Sequence, residues 1–305
     1  MISRRRGLRL RSVLKSTLCR RRLVNVERAL IWNWNKEYSV KRLQLLCIAL
    51  LLCLSAVSAS ATTTATQPKQ SFRVPILLYH RFDTRATNFM TVTPAVFESQ
   101  LAYLRSNGYR VIPLRRLVDW HRGKAPAPPA KSVVLVADDG HRSIFSQMLP
   151  IIRKFNVPVT LFIYPSAISN ADYAMTWDQL RTLKKTGLFD IQSHSYWHPN
   201  FIKEKKKLSR EEYLKFVDIQ LRKSKQKLEK EMGGQVDLIA WPFGGLPDQE
   251  LLERARQAGY SAAFTIVRRP ATAQDPAMLL PRFIVLDSDR GNRFEALLKP
   301  SAQAQ

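Results

Sequence analysis

Two adjacent carboxylates follow an apolar run near the middle of the chain. Residues 133–137 are mostly β-branched and apolar, which predicts a buried strand, and Asp138, Asp139 and Gly140 come directly after it. Successive side chains of a strand point to opposite faces, so the two carboxylates cannot act from the same direction. One can hold a metal ion while the other faces a substrate. The competing interpretation is an ordinary solvated Asp-Gly turn.

Two histidines four residues apart form a second candidate group. His194 and His198 follow the predicted strand 188–193, and their spacing lets both imidazoles bind one metal ion if the chain makes a helix-like turn. Pro199 disfavours helical backbone at His198, so we expect a short, irregular turn. Two imidazoles and one carboxylate leave open positions on a metal for water and substrate. A structural role is the alternative for a histidine pair taken alone.

Further candidates also stand at the ends of predicted strands. His80 ends the apolar run 76–79, and a Pro-Phe-Gly turn containing Phe243 follows the run that ends at Trp241. In parallel α/β folds the carboxyl ends of the strands share one face, where sites assemble. We therefore expect these side chains to meet the carboxylates and the histidine pair. His141, beside the acidic pair, is a candidate for an outer position around the metal.

The elements that must position these residues alternate along the chain. About seven predicted strands separated by helices indicate an α/β fold with a mostly parallel sheet, as either an open doubly wound sheet or a closed barrel. The predicted strands are 74–79, 133–137, 157–164, 188–193, 236–241, 261–267 and 283–286. The predicted helices are 94–107, 114–121, 143–155, 176–186, 209–232, 247–258 and 293–298, with Thr176 and Ser209 as N-caps.

Three of these motifs together resemble the polysaccharide deacetylase (NodB-homology) family. Its Thr-Phe-Asp-Asp-Gly, His-Ser/Thr-x-x-His-Pro and Arg-x-Pro-Tyr/Phe-Gly motifs line up with residues 136–140, 194–199 and 240–244. Ala240 stands where the family usually has an arginine that orients the catalytic aspartate, and the C-terminal Leu-x-His motif is missing. Residues 77–80 look like that motif moved to the N-terminus, an arrangement similar to the exported poly-β-1,6-N-acetylglucosamine deacetylases. The resemblance spans about residues 74–287.

The resemblance implies a fold, an activity and a set of roles. The fold is a distorted (β/α)7 barrel, and the activity is the removal of acetyl groups from N-acetylglucosamine units of an extracytoplasmic polysaccharide, by hydrolysis of an amide. The alternatives are a glycan-binding member without catalysis and a deacetylase of peptidoglycan or chitooligosaccharides. The implied roles are one divalent metal, most simply zinc, on Asp139, His194 and His198; Asp138 as general base; His80 as general acid; and the Phe243 N–H as oxyanion donor. Trp177, Tyr196, Trp197 and Trp241 are expected to stack on sugar rings, with core packing as the alternative for each.

Charge and hydropathy indicate the compartment. The formal net charge is +25, and the first 42 residues hold thirteen of the 49 Lys and Arg. Lys41 and Arg42, the apolar run 43–54 and an Ala-Ser-Ala site ending at Ala61 predict a secretory signal peptide, with an uncleaved anchor as the alternative.

We therefore divide the chain into an extension and signal peptide (1–61), a linker (62–72) and a deacetylase domain (73–305). All three cysteines precede the predicted cleavage site, which excludes disulfides and thiolate chemistry from the exported domain. The expected partner is the polysaccharide and not a nucleic acid, and the basic charge leaves peripheral association with a membrane or an anionic envelope surface open.

Overall fold

The computed structural model describes residues 72–245 and 247–299. Within them, the strands are β1 (Arg73–Val74), β2 (Ile76–Tyr79), β3 (Arg81–Phe82), β4 (Thr91–Val92), β5 (Arg110–Val111), β6 (Ser132–Asp138), β7 (Val159–Ile163), β8 (Phe189–Ser193), β9 (Leu238–Ala240), β10 (Ala262–Phe264), β11 (Ala271–Thr272) and β12 (Phe283–Ile284). The α-helices are α1 (Pro94–Ser106), α2 (Leu114–His121), α3 (Leu149–Phe155), α4 (Trp177–Lys185), α5 (Phe201–Lys205), α6 (Arg210–Asp218), α7 (Ser224–Met232), α8 (Gln249–Gln257) and α9 (Asn292–Leu298).

The central sheet has eight strands that pair in parallel. Seven of them follow the order β10-β9-β8-β7-β6-β2-β12, and β5 pairs with the start of β6. Shortly before β12, the Leu280 N–H donates to the Ala263 carbonyl (2.9 Å) and the Leu280 carbonyl accepts from the Thr265 N–H (2.8 Å). These bonds join the β12 edge to β10 on the opposite edge, so the sheet curls into a barrel. The predicted distorted (β/α)7 barrel is confirmed, and the open doubly wound alternative is excluded.

The alternation of side chains along the strands separates two apolar cores. Val134 and Val136 of β6 face the inside of the barrel together with Ile76 and Leu78 of β2. The residues between them on each strand belong to the larger core, where the helices pack on the outside of the sheet. By the same period of two, Asp138 and His80 continue the inward-facing rows at the carboxyl ends of β6 and β2.

Three local features differ from the sequence prediction. Pro75, which has no N–H to donate, separates β1 from β2, and β1 pairs antiparallel with β11. The predicted helices 143–155 and 209–232 each contain a π-helical turn, at Ile144–Met148 and at Ile219–Lys223. Residues 201–205, where the sequence predicts no helix, form the short helix α5, and its first residue, Phe201, is buried.

Two predicted helix starts are confirmed in detail. Thr176 with Gln179, and Ser209 with Glu212, form reciprocal capping boxes at the starts of α4 and α6. In the part of the chain that is described, no helix combines the length and the apolar character needed to cross a membrane. The predicted leader, residues 1–61, and all but the last residue of the predicted linker lie outside the described residues.

Candidate active site

The acidic turn, residues 138–140, leaves the end of β6 in a left-handed conformation. Asp138 ends β6 and is buried, while Asp139 (φ +73°) and Gly140 (φ +79°) reverse the chain. A Cβ on Gly140 would lie 2.9 Å from Ile163 Cδ1, so the tight packing and the positive φ both favour glycine. This turn sends the two carboxylates in different directions.

The histidine turn, residues 194–198, directly follows β8. The His194 N–H donates to the Ile163 carbonyl of the neighbouring β7 (2.8 Å), which fixes the start of the turn. Ser195 (φ +63°) and His198 (φ +59°) adopt left-handed conformations that are uncommon for residues other than glycine. The irregular path expected from Pro199 is confirmed, and it brings the two imidazole rings to 4.6 Å between centroids.

Asp139, His194 and His198, which we call the triad, converge on one point. Asp139 Oδ1 lies 3.6 Å from His194 Nε2 and 3.5 Å from His198 Nε2, and the three ligand atoms are within 4.8 Å of one another. A tetrahedral zinc ion with ligands at about 2.0–2.1 Å separates its ligand atoms by about 3.4 Å, so the triad fits such an ion. His194 Nδ1 donates to the Ala240 carbonyl (2.8 Å), which leaves Nε2 free to bind the metal.

Burial sets the protonation of the triad. It lowers the pKa of His194 to about 3 and also lowers that of His198, so both imidazoles are neutral near pH 7, the form that binds metals. Burial, together with the charge of Asp138, raises the pKa of Asp139 to about 7. A bound cation favours the ionised carboxylate, so metal binding would release a proton from Asp139.

Arg282 holds the second carboxylate of the acidic turn. Its Nη1 and Nη2 donate to Asp138 Oδ1 and Oδ2 at 2.8 and 2.9 Å, and its Nε donates to the Thr265 carbonyl at 3.0 Å. The guanidinium is fully buried. Burial by itself would raise the pKa of Asp138, but the charge and hydrogen bonds of Arg282 hold it below its usual range. Asp138 therefore stays ionised, with its oxygens fixed in orientation.

These groups surround one pocket of about 200 Å³ at the carboxyl ends of the strands. Its lining residues are His80, Phe89, Met90, Asp138, Asp139, His194, His198, Trp241, Phe243, Gly244, Ile266, Arg282 and Ile284. His80 is 8% exposed, and burial lowers its pKa to about 4 although Asp138 favours its charged form. The structure thus brings every predicted catalytic and metal-binding residue to one place.

Comparison with known proteins identifies the family to which the segment carrying the acidic and histidine turns belongs. Residues 125–263 match the family model described as "Polysaccharide deacetylase". The chain contains a polysaccharide deacetylase domain. It is accordingly a hydrolase that acts on amide bonds, and the matched range includes the acidic turn, the histidine turn and β9.

Two curated relatives that share one name extend this similarity. Poly-beta-1,6-N-acetyl-D-glucosamine N-deacetylase of Staphylococcus aureus (strain MRSA252) is 25% identical over 214 residues, which cover 68% of this chain and 71% of the relative. The protein of that name from Escherichia coli (strain K12) is 22% identical over 293 residues, which cover 80% of this chain but only 43% of the relative.

Solved structures share the fold of the deacetylase domain. The Streptococcus pyogenes deacetylase PplD in complex with acetate superposes with a TM-score of 0.67 at 21% identity, over 75% of this chain and all of that one. IcaB from Ammonifex degensii gives a TM-score of 0.63 at 23% identity, over 74% of this chain and 97% of that one.

Arg282 pairs with Asp138, whereas Ala240 cannot. The Ala240 side chain belongs to the buried inner core, and its carbonyl orients His194. The resemblance implies an arginine at position 240 that orients the catalytic aspartate. In this chain Arg282, immediately before β12, donates hydrogen bonds to that aspartate instead. The deacetylase domain therefore keeps an arginine–aspartate pair, from a position that the family motif does not predict.

The four aromatic residues predicted to stack on sugar lie in different surroundings. Trp241 lines the pocket, but it is only 2% exposed and its indole N–H donates to the Met278 carbonyl (3.0 Å), so it serves as a wall. Trp177, Tyr196 and Trp197 are not among the residues that line this pocket. Trp177 lies under Lys227, and Tyr196 and Trp197 lie beside Lys223. Sugar stacking by these three stays a prediction.

Other aromatic rings, not anticipated from the sequence, stand at the pocket. Phe89 is 66% exposed at its rim, on the loop between β3 and β4, and Phe243 is 59% exposed. The centroid of the His198 ring lies 5.1 Å from that of Tyr164 and 4.7 Å from that of Phe243. Exposed rings next to the triad offer apolar faces to a sugar.

Proposed function

We propose that the chain is a divalent-metal-dependent N-deacetylase that removes acetyl groups from N-acetylglucosamine units of an extracytoplasmic polysaccharide. The observation that carries the proposal is the triad of Asp139, His194 and His198 beside the arginine-held Asp138, in one pocket of a polysaccharide deacetylase domain. A zinc ion on the triad would polarise the acetamido carbonyl and lower the pKa of a water toward about 7.

Asp138 acts as the general base in this proposal. Its Oδ2 lies 3.6 Å from His194 Nε2, at the edge of the triad, so a water there is within its reach. Arg282 keeps the carboxylate ionised and aimed into the pocket. The water oxygen adds to the acetamido carbon and its proton passes toward Asp138. The C–N bond then breaks, giving acetate and a free amine.

His80 delivers the proton that the leaving amine needs. It lines the same pocket from β2, the strand between β6 and β12, and no histidine follows His198 in the sequence. With its pKa lowered to about 4, His80 is neutral at rest near pH 7. His80 therefore takes up a proton only during the reaction: Asp138 passes on the proton that it removed from the attacking water, and His80 gives it to the leaving amine.

Phe243 supplies the oxyanion donor in the same proposal. It has a left-handed φ of +57° within the Pro-Phe-Gly turn after β9. A Cβ on Gly244 would lie 2.0 Å from Ile266 Cγ1, so the close packing of glycine fixes the path of this turn. A backbone N–H held on such a rigid turn suits stabilisation of developing charge.

Two arguments support the substrate and the location. The two curated relatives carry the name of an enzyme acting on poly-β-1,6-N-acetyl-D-glucosamine, and exposed Phe89 and Phe243 offer apolar faces beside the triad. The basic, apolar and Ala-Ser-Ala segments up to Ala61 support export by cleavage of a signal peptide. We propose that the exported protein acts on polymer outside the cytoplasm.

A panel of glycans tests the substrate. Acetate release is measured on β-1,6-linked N-acetylglucosamine oligomers, chitooligosaccharides and peptidoglycan fragments, each with and without a chelator. We expect fastest release from the β-1,6-linked oligomers and its loss on chelation. Faster release from either of the other glycans would reassign the substrate, and glycan binding without any acetate release would favour the non-catalytic alternative.

A further inference from the structure

The histidine turn is hydrogen-bonded to Gln220, a residue of the π-helical turn Ile219–Lys223. Between the two histidines, the Trp197 N–H donates to Gln220 Oε1 at 2.8 Å. Gln220 is fully buried within the π-helical turn Ile219–Lys223, whereas Trp197 is 49% exposed. The middle of the histidine turn is thus anchored through its backbone and not by burial of its side chain.

The two ends of the Gln220 amide differ in their hydrogen bonding, and this difference indicates that the residue positions the histidine turn. Its amide Nε2 is buried and has no hydrogen-bond partner among the described residues. Leaving a buried donor unpaired costs stability, and an apolar side chain of the same shape would avoid that cost. A glutamine here therefore does something that core packing does not require, and the contact that it makes is the one to Trp197.

A second contact joins the same two segments. The Tyr260 hydroxyl lies 2.9 Å from both Ser193 Oγ and the Leu221 carbonyl, and Ser193 Oγ accepts from the Ser195 N–H at 3.2 Å. Ser193 ends β8, next to His194, and Leu221 belongs to the π-helical turn. All of these groups are buried.

We propose that Gln220, supported by Tyr260, is a positioning residue for the triad, and that the π-helical turn exists to present it. Ser195 and His198 adopt left-handed conformations that cost energy and persist only where surrounding contacts impose them. The Gln220 contact to Trp197 lies between these two residues. π-Helical turns are rare and frequently occur at functional sites. This inference rests on the proposed metal-dependent function.

Zinc binding to the metal-free protein tests the proposal, because it reports on the triad without turnover. In Gln220→Met the acceptor is removed while the shape is kept, and we expect the zinc dissociation constant to rise about 10- to 100-fold, as for other residues that orient metal ligands. The denaturation midpoint of the metal-free protein should change little, because removal of the unpaired amide offsets the loss of the hydrogen bond from Trp197. Leu228→Ala is the matched control: Leu228 is fully buried two turns further along the same helical segment, so its loss should lower the midpoint and leave zinc affinity unchanged.

The possible outcomes separate the hypotheses. Failure of the parent protein to bind zinc would overturn the proposed metal-dependent function itself. Zinc binding by the parent with equal affinity in Gln220→Met would overturn only the positioning role. Weaker binding in Leu228→Ala as well would mean that general loosening suffices, and it would also overturn the role. If Gln220→Met does not fold, Tyr260→Phe decides: weakened zinc binding supports the proposal and unchanged binding contradicts it.

Discussion

Replacement of Arg282 by methionine is the sharpest perturbation of the site that leaves the triad intact. The guanidinium is fully buried and donates two hydrogen bonds to Asp138 at 2.8 and 2.9 Å. Asp138 is itself buried, so removal of its partner leaves an uncompensated charge. Breaking a buried ion pair in this way costs about 3–5 kcal/mol of unfolding free energy.

Urea denaturation and the pH dependence of acetate release measure the two consequences. We expect Arg282→Met to lose about 3–5 kcal/mol, and the double variant Asp138→Asn/Arg282→Met to recover part of it, because no buried charge remains. Burial alone raises the pKa of Asp138, so the acid limb of the pH–rate profile should move to higher pH in Arg282→Met. Arg282→Lys keeps the charge without the paired hydrogen bonds. Its unfolding free energy and its acid limb should therefore lie between those of the parent and those of Arg282→Met. A loss below about 1 kcal/mol with an unmoved acid limb would refute the assignment of Asp138 as an arginine-held base.

Three further results are expected. His198→Ala should lose the bound metal, whereas Asp138→Asn should retain it and lose turnover; full metal content in His198→Ala by elemental analysis would refute the triad. His80→Ala should lower the rate of acetate release by about 10²–10⁴-fold at unchanged metal content, and an unchanged rate would mean that another group protonates the amine. In the metal-free protein burial lowers the pKa of His80 from its ordinary value of 6.5 to about 4. Between these pH values the unfolded chain binds one proton that the folded chain does not, so the unfolding free energy falls as the pH drops through this window. Over that pH range, denaturation of His80→Gln should show a loss of unfolding free energy about 3 kcal/mol smaller than that of the parent. Identical losses in the two proteins would contradict the burial of a neutral imidazole.

Local pattern was sufficient to predict the seven strands of the barrel and most of the site. The period of two along β6 carries Asp138 into the barrel with Val134 and Val136, and the four-residue spacing of His194 and His198 survives in an irregular turn. These features depend on residues close together in sequence, so propensity and spacing determine them.

Contacts between distant segments could not be predicted in the same way. Arg282 is 144 residues from Asp138, and it meets that carboxylate only because β12 pairs with β2 beside β6. The sequence offered one weak signal, a lone arginine immediately before an apolar strand. The contact of Gln220 with Trp197 likewise depends on the π-helical turn, which the helical pattern of residues 209–232 conceals.

Side-chain exposure explains why the aromatic predictions and the pocket differ. The sequence favoured tryptophans near the motifs, but Trp241 is buried in the wall and Trp197 lies outside the pocket lining. Phe89 lies in a loop without a periodic pattern, where sequence gives no orientation. Which ring faces a site depends on the packing of the whole barrel and not on residue type.

Acetate release by metal-free and zinc-reconstituted protein tests the central claim most directly. The protein is stripped with a chelator, dialysed and assayed on β-1,6-linked N-acetylglucosamine oligomers before and after addition of one equivalent of zinc. We predict no release from the stripped protein, restored release with one free amine per acetate after zinc addition, and no restoration in His198→Ala. Equal release by the stripped and reconstituted protein, or none from either, would contradict a metal-dependent deacetylase.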